Sequence, residues 1–199
     1  MATQAERRTA TTEALIAAAR DAFVRDGFSA TSVDEVATRV GMSKGAVYHH
    51  YASKTDLFRA VFETVEVELQ QRVVRRAARV TDPIEQIIAG NDAFLDAATD
   101  PAIGRITLIE APAVLGWTLF REIDEQYFMG LLLASLAAAT GVRRTDEAAR
   151  LQARVAFAGL CELAVAVATS SHPSRTLKLA KAESRRLVRG LIDQARRAR

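Results

Sequence analysis

The side chains best suited to chemistry lie together in the segment KGAVYHHY, residues 44–51. A helix through this segment turns Val47 inward. The residues left on its outer side are Lys44, Ala46, Tyr48 and His49. A lysine on such a face can donate to guanine O6 and N7, and an alanine methyl group can contact thymine. This face is therefore suited to contacts with the base edges of double-stranded DNA.

That face is positioned by two short helical patterns, which lie on either side of one glycine. In SVDEVATRV, residues 32–40, apolar side chains recur at i, i+3, i+4 and i+7 and line one helix face. Ser32 and Glu35 form a capping-box pattern at its start. Gly41 can end this helix in a left-handed conformation, and Ser43 can cap the next one. This arrangement is typical of a helix-turn-helix, although a plain helical hairpin used as scaffolding gives the same pattern.

The surrounding residues match a known family. They comprise an apolar first helix ending in DGF, the start ATSVDEVA, the segment GMSKGAVYHHY, and SKTDLF opening a fourth helix. Over residues 11–62, about a quarter of the chain, the sequence closely resembles the N-terminal domain of the TetR family of bacterial transcriptional regulators. The resemblance implies an all-α fold, in which a three-helix helix-turn-helix domain precedes a helical domain that binds a small molecule and dimerises.

The resemblance also implies which residues contact DNA. In that family the third helix lies in the major groove, and a lysine at the start of the fourth helix meets the phosphate backbone. Lys44 is then the best candidate for a base contact, while Tyr48, His50 and Lys54 match phosphate contacts. The predicted DNA-contacting residues are Ser32, Ser43, Lys44, Gly45, Ala46, Tyr48, His49, His50 and Lys54. Adjacent histidines diverge by about 100° around a helix, so no metal site or other cofactor is predicted.

Composition and charge favour a helical protein that binds DNA through a few placed groups. The chain is rich in Ala, Leu, Val and Arg, and we expect about nine helices. Residues 1–60 carry 8 Lys/Arg against 7 Asp/Glu, so no broad basic field attracts DNA to this part. Residues 175–199 carry 9 against 2. These charges alternate with leucines, which favours the solvated side of an amphipathic helix over a nucleic-acid arm.

The helical patterns divide the chain into two predicted domains. Residues 1–54 form the helix-turn-helix domain, with a polar start, a first helix over 11–25 and the motif at about 32–51. Residues 55–199 form the effector-binding and dimerisation domain, in which 55–78 is a connecting helix. Further along, one helix is expected from about 111 to Gly141, and the last two run over 145–169 and 174–195.

The sequence favours a cytoplasmic protein with no membrane partner. A single cysteine, Cys161, excludes an intramolecular disulfide, which fits a reducing compartment. The N-terminus contains acidic residues and no long apolar run, unlike a signal peptide. The most apolar stretch, 155–168, is interrupted by Glu162 and is shorter than the roughly 20 residues that span a bilayer.

The C-terminal half shows no motif with a defined chemistry. Aromatic and polar residues in its central helices are interpreted either as a pocket for a small effector or as plain core; they are Phe94, Thr107, Glu110, Trp117, Phe120, Tyr127, Phe128 and Phe157. A small-residue apolar face on the last two helices is interpreted either as a homodimer interface or as intramolecular core; its residues are Val155, Gly159, Leu163, Val167, Leu187 and Leu191.

These observations predict a ligand-responsive, homodimeric DNA-binding regulator, a repressor that reads a near-palindromic operator. The alternative is a helical small-molecule-binding protein whose head does not bind DNA. An enzyme is not expected, because the sequence shows no metal cluster, phosphate loop or nucleophile-base pair. The effector, the operator and the regulated genes are not encoded in any recognisable pattern.

Overall fold

The computed structural model describes residues 3–141, 143 and 145–197. Within these residues the chain is all-α, with nine α-helices, one π-helical segment and no strand, so the predicted fold class is confirmed. The helices are α1 (Gln4–Ala30), α2 (Val33–Arg39), α3 (Lys44–His50), α4 (Lys54–Ala77), α5 (Pro83–Ala97), α6 (Ala111–Leu115), α7 (Trp117–Thr140), α8 (Glu147–Ala168) and α9 (Pro173–Arg197). The π-helical segment, Ile103–Glu110, lies between α5 and α6.

The first helix starts earlier than the predicted range of 11–25. It begins at Gln4, because Thr3 and Glu6 form a reciprocal capping box that satisfies the first backbone N–H groups. Near its other end, Gly27 has φ 84° and ψ 167°, a conformation essentially restricted to glycine. This glycine breaks the helix where the sequence predicts its end, and one further turn follows.

α4 connects the N-terminal helices to the rest of the chain. Its 24 residues, Lys54–Ala77, correspond to about 36 Å, and each end lies within one residue of the predicted connecting helix. Its inward side chains are fully buried; they are Leu57, Phe58, Val61, Phe62 and Val65. They belong to one hydrophobic core that extends from α1 to α9. The head and the C-terminal helices are therefore packed together and not merely linked.

The segment before α7 differs from the prediction. Where the sequence predicts one helix from about 111 to Gly141, Gly116 adopts φ 77° and divides it into α6 and α7. Residues 103–110 form the π-helical segment, a wider helix that is frequent at functional sites. The glycine break changes the direction of the chain, so residues on either side do not share one continuous face.

Candidate nucleic-acid interface

The position of α3 is set by its cap, its turn and one buried side chain. Gly41 has φ 69°, the left-handed conformation that ends α2. Ser43 Oγ accepts from the backbone N–H of Ala46 at 3.2 Å and so caps α3. Val47 is only 1% exposed and anchors α3 in the core. These interactions hold the helix with its other face outward.

Ser32 caps α2, but the predicted capping box is only half formed. Ser32 Oγ accepts from the backbone N–H of Asp34 at 3.2 Å. The Glu35 carboxylate instead accepts from Arg25 at 2.6 Å, which ties the start of α2 to α1. The helix start is therefore where the sequence predicts it, while the glutamate serves as a contact between helices.

The outer face of α3 is open to solvent. Its exposed residues are Lys44, Gly45, Tyr48 and His49, and Ala46 and His50 are half-buried. The caps Ser32 and Ser43 are also exposed. The ring centroids of the two adjacent histidines lie 6.3 Å apart, with their planes 81° from parallel. A single exposed helix of this kind has the width that the major groove admits.

Lys44 is held at the start of this face by an exchangeable contact. Its Nζ donates to Asp34 Oδ2 at 2.8 Å, and both side chains are more than half exposed. The hydrogen bond to Asp34 raises the pKa of Lys44, so the ammonium stays charged. Exposed ion pairs contribute little to stability. The ammonium can therefore leave Asp34 for an acceptor on DNA.

Lys54 has a structural role that the sequence did not reveal. Its Nζ donates to the carbonyl oxygens of Thr31 at 2.8 Å and of Ser29 at 3.3 Å. It also lies 4.5 Å from the centroid of the Phe28 ring. An ammonium group has three N–H donors. One donor is left for the predicted phosphate contact, while the other two tie the start of α4 to the end of α1.

The π-helical segment is fastened to the end of α1 through Arg105 and Glu110. Arg105 Nη1 donates to the carbonyl oxygens of Val24 at 2.9 Å and of Arg25 at 3.1 Å. Glu110 Oε2 accepts from the backbone N–H of Phe28 at 2.9 Å, and its other oxygen accepts from Arg105 at 3.3 Å. The charged side chains satisfy backbone groups that the helix break leaves free. These contacts bond the segment directly to the head.

A cavity of about 260 Å³ lies between α4, α5, α7 and α8. Its wall includes Phe94, Phe128 and Phe157, whose ring centroids lie 5.4–6.2 Å apart. The polar side chains in the wall are Gln86, Asn91 and Ser135. A mostly apolar cavity with a few polar groups is typical of small-molecule sites, and this cavity lies just below their usual range of about 300–1,000 Å³.

Only three of the eight predicted pocket residues line this cavity, namely the three phenylalanines. Trp117 is 67% exposed, because it follows the Gly116 break at the first position of α7. Glu110 faces α1, and Phe120 packs against Phe62 in the core. The other two predicted residues also lie outside this wall; they are Thr107, which is buried, and Tyr127, which is half-buried. Sequence spacing identified aromatic helices but not which side of each helix faces the cavity.

A buried carboxylate pair lies between α4 and α7 and was not predicted. Glu66 is completely buried, and neither of its carboxylate oxygens has a well-formed hydrogen bond to any described residue. Burial, and then the charge of Asp124, raise the pKa of Glu66 well above its ordinary value. Burial likewise raises the pKa of Asp124 to about 7, although Arg121, 2.9 Å away, opposes the shift. In the sequence, Glu66 is simply one of several charged residues on the distal half of α4.

These raised pKa values predict that the protein loses stability as the pH rises. In the unfolded chain Glu66 and Asp124 lose their protons near their ordinary pKa values of 4.5 and 3.8. The folded state keeps the protons to higher pH, so the free energy of unfolding falls from about pH 4 upward, through about pH 7 for Asp124. Glu66→Gln keeps the shape but removes the ionisation. Between pH 5 and pH 8, Tm is expected to fall less in this variant than in the parent protein. The difference should be roughly 2–4 °C for each kcal/mol of unfolding free energy that the variant no longer loses.

Glu63→Gln provides the matched control for this measurement. Glu63 lies on the same helix but is partly exposed and bonded to Arg59 at 2.8 Å. Its replacement should leave the pH dependence of Tm unchanged. If the Glu66→Gln protein loses as much Tm as the parent between pH 5 and pH 8, the assignment of this pH dependence to Glu66 is wrong.

An apolar surface is left uncovered along α8 and α9. Its exposed side chains are Leu151 at 58%, Val155 at 70%, Leu179 at 59% and Leu187 at 48%. By length and composition α8 is apolar enough to cross a membrane, yet only 28% of its most apolar stretch is buried within the chain. Exposed apolar side chains concentrated on two helices that pack together favour an interaction surface.

The predicted dimer residues fall into three environments. Val155 and Leu187 belong to the exposed surface. Half-buried positions between the helices are occupied by Gly159, Leu163 and Leu191. Val167 does not lie on the surface at all, because its side chain is fully buried in the chain's own core. The small-residue face of α8 therefore serves two purposes, with one edge turned to α9 and the core and the other to solvent.

A helix-turn-helix head packed on a helical domain that contains a cavity defines a DNA-binding regulator. Residues 15–61 match the family model for bacterial regulatory proteins of the tetR family. Residues 84–191, more than half of the chain, match the model for the tetracyclin repressor-like C-terminal domain. The chain therefore belongs to the TetR family of transcriptional regulators, as the resemblance of residues 11–62 indicates.

Characterised relatives and solved structures agree with this assignment. The transposon Tn10 TetC protein of Escherichia coli is 26% identical over 127 residues, which is 64% of each chain. The HTH-type transcriptional activator FasR of Mycolicibacterium smegmatis is 35% identical over 82 residues, covering 41% of this chain and 37% of FasR. This chain thus spans less than two thirds of either relative. A TetR-family regulator from Pectobacterium atrosepticum is 28% identical with a TM-score of 0.79, covering 96% of this chain and 97% of that structure.

Proposed function

We propose that this chain is a homodimeric repressor that binds a near-palindromic operator and is released from it by a small-molecule effector. The TetR family consists of DNA-binding transcriptional regulators that are in general not enzymes. The observation that carries the proposal is the outer face of α3, which exposes Lys44, Tyr48 and His49 while Val47 anchors the helix. The proposed domains are residues 1–54 for DNA and 55–199 for effector and partner, within a cytoplasmic protein.

Within the head, the proposal divides base contacts from phosphate contacts. Lys44 can reach guanine from the start of α3, and the Ala46 methyl group can contact thymine. Tyr48, His50 and Lys54 are assigned to phosphates, which set the register without reading sequence. Because each head supplies few base contacts, specificity depends on two heads bound to symmetric half-sites.

Lys44→Ala is expected to relax base preference at one symmetric pair of operator positions. The loss at those positions should be roughly 5- to 150-fold per contact, because one charged donor to a base edge is removed. Lys54→Ala should instead weaken all sequences alike, and should also lower Tm because the ties to Thr31 and Ser29 are lost. A mobility-shift assay measures both effects, with a duplex that the protein selects from a random library and single-base variants of that duplex.

Arg59→Ala serves as the control, since it also removes one exposed cation from the first turns of α4. Arg59 is engaged with Glu63 on its own helix and is not a predicted contact. It should leave the base preference unchanged. Should Lys44→Ala weaken every sequence equally while Lys54→Ala alters base preference, the assigned roles are reversed. A protein that selects no duplex at all favours the alternative function, a small-molecule-binding protein without DNA-binding activity.

The cavity and the π-helical segment supply a route for release by an effector. An effector shifts the protein only if it binds one arrangement of the heads more tightly than the other. The cavity is bounded by α4, which itself carries the head, and the π-helical segment is bonded to α1 through Arg105 and Glu110. An effector that fills the cavity therefore acts on the head through α4, the one of these two connections that lines the cavity.

If the protein blocks transcription while it is bound to its operator, and the effector releases it, then it acts as a repressor. The relative FasR is named an activator, so the sign needs its own measurement. A reporter gene placed behind the selected duplex should be less active when the protein is present. Higher reporter activity in its presence would identify an activator and leave the DNA-binding assignment intact.

A further inference from the structure

The cavity between α4, α5, α7 and α8 has an aromatic end and a polar end. The aromatic end is formed by Phe94, Phe128 and Phe157, each of which is at most 5% exposed. On α5, Gln86 precedes Phe94 by eight residues, and on α7, Ser135 follows Phe128 by seven. The helical rise places each of these polar side chains about 10–12 Å along its helix from the aromatic end.

The two polar side chains lie at the same end of the cavity, because α5 and α7 run in opposite directions. The edge-to-face contact between their phenylalanine rings joins the last turns of α5 to the middle of α7. Ile87, near the start of α5, shares a second hydrophobic cluster with Leu136, farther along α7. Gln86 and Ser135 each lie one residue from this second pair. The cavity is therefore an elongated space with its polarity concentrated at one end.

The polar groups of the wall leave hydrogen-bond acceptors available to a ligand. Gln86 Nε2 donates to the carbonyl oxygen of Val80 at 2.7 Å, and Asn91 Nδ2 donates to Ser184 Oγ at 3.0 Å. In both side chains the amide nitrogen is thus engaged by the protein, and the amide oxygen is left to accept. The Ser135 hydroxyl can donate or accept. This set of groups favours a ligand that donates a hydrogen bond.

The wall supplies no countercharge. Among the described residues, none of those that line the cavity is Asp, Glu, Lys, Arg or His. A charged group placed there loses part of its hydration and gains no partner of opposite sign, which is costly. A neutral hydroxyl or amide loses less hydration and recovers it through the amide oxygens. The cavity therefore favours an uncharged ligand.

The cavity reaches the surface between α4 and α7. Val74 on α4 and Leu131 on α7 both line it, yet their exposed fractions are 44% and 36%. A molecule can thus enter between two apolar side chains without unfolding of either helix. The entrance does not require a charged group to guide the ligand, which agrees with the uncharged wall.

We propose that the effector is an uncharged amphipathic molecule with an aromatic body and one hydroxyl or N–H donor. The inference rests on the proposed function, in which this cavity holds the effector. The aromatic body packs among the three phenylalanines, where Phe94 meets both other rings edge to face. The donor binds the amide oxygens of Gln86 or Asn91 or the hydroxyl of Ser135. The volume of about 260 Å³ restricts the ligand to one small ring system with a short chain.

Four probes with one body and different head groups test this class: 4-phenylbutanol, its methyl ether, 4-phenylbutylamine and 4-phenylbutanoate. Titration calorimetry on the full chain is expected to give the tightest binding for the alcohol. The charged amine and butanoate should bind at least roughly 10-fold more weakly. The ether, which cannot donate, should bind several-fold more weakly than the alcohol. A charged probe that binds as tightly as the alcohol, an ether equal to it, or no measurable binding of the alcohol overturns the proposal.

Variants in the wall locate the preference. Ser135→Ala should weaken the alcohol several-fold and leave the ether unchanged, whereas Ser174→Ala, at an exposed serine on α9, should change neither. Asn91→Asp keeps the shape of the side chain and adds the missing charge. It should raise the affinity for the amine relative to the alcohol at least roughly 10-fold.

Gln126→Glu is the control for the added charge, because Gln126 is exposed on α7 and lies outside the wall. It should leave the order of the four probes unchanged. An Asn91→Asp protein that folds and shows no gain for the amine contradicts the assignment of the ligand to this cavity. If that variant does not fold, Ser135→Ala and the four probes on the parent protein decide the matter.

Binding of the selected duplex, measured on the same preparations, separates this inference from the proposed function. A protein that binds the duplex and prefers a charged probe retains the regulator function and loses the inferred class of effector. A protein that prefers the alcohol but binds no duplex retains the ligand class and contradicts the regulator function. Release of the duplex by the alcohol, and not by the amine or butanoate at equal concentration, supports both.

Discussion

Val155→Glu is expected to yield a folded monomer whose operator affinity is at least roughly 100-fold weaker than that of the parent. Val155 is 70% exposed on α8, so a glutamate there does not disturb the core of its own chain. In a twofold dimer built on the α8–α9 surface, each subunit brings the same residue to the interface. Each buried, unpaired carboxylate costs on the order of 3–5 kcal/mol, and symmetry introduces two of them. Light scattering after gel filtration measures the mass, and a mobility-shift assay measures the affinity.

Val67→Glu is the matched control for this dimer test. Val67 is an exposed valine, 38% accessible, on α4 and outside the α8–α9 surface. The same substitution there should leave both the mass and the operator affinity unchanged. A Val155→Glu protein that remains dimeric places the dimer interface elsewhere. If the parent protein is already monomeric at micromolar concentration, it does not bring two heads to symmetric half-sites, and the proposal of a near-palindromic operator is wrong.

Gly27→Ala is expected to destabilise the protein and to uncouple the head from the effector. The backbone at Gly27, with φ 84° and ψ 167°, costs a non-glycine residue about 1–3 kcal/mol. An added Cβ atom would also lie 2.5 Å from Arg105 Nη2 and 2.6 Å from Glu110 Oε1. These side chains must then move away from α1. We expect a loss of Tm, and an operator affinity that responds less to the effector than in the parent.

Gly116→Ala isolates the backbone contribution to this result. Gly116 has φ 77° and ψ 152°, close to the values at Gly27, but nothing lies within 4 Å of an added Cβ atom. It should therefore lose Tm through backbone strain alone and keep its response to the effector. Equal losses in the two variants, with the response retained in both, would show that the contacts of Arg105 and Glu110 do not couple the head to the rest of the chain.

The secondary structure was predicted well wherever its signals are local. The sequence placed α2, α3 and the connecting helix correctly, because Gly41, Ser43 and the spacing of valines act on backbone within a few residues. The errors have equally local causes that pattern reading overlooked. The capping pair Thr3 and Glu6 extends α1, and Gly116 divides a stretch that reads as one helix.

Residue roles in the C-terminal half were predicted less well, because burial there depends on distant elements. Phe94, Phe128 and Phe157 come from three helices and line one cavity, whereas Trp117 points to solvent. For Val167 the sequence leaves a dimer surface and intramolecular core as alternatives, and the chain's own core encloses this side chain. The helical period of a sequence shows that residues share one face of a helix. It does not show whether that face packs against the core, lines a cavity or is exposed to solvent.

Local backbone preferences and one specific motif are enough to predict the class of this protein, its helical order and the residues on the outer face of α3. Three further facts arise only when the helices pack: Glu66 is buried without a well-formed hydrogen bond to any described residue, Lys54 ties α4 to α1, and Arg105 and Glu110 fasten the π-helical segment to the head. Each of these facts joins residues far apart in the chain. Their charges carry no local mark of where they will lie, because desolvation and pairing arise only when the helices pack.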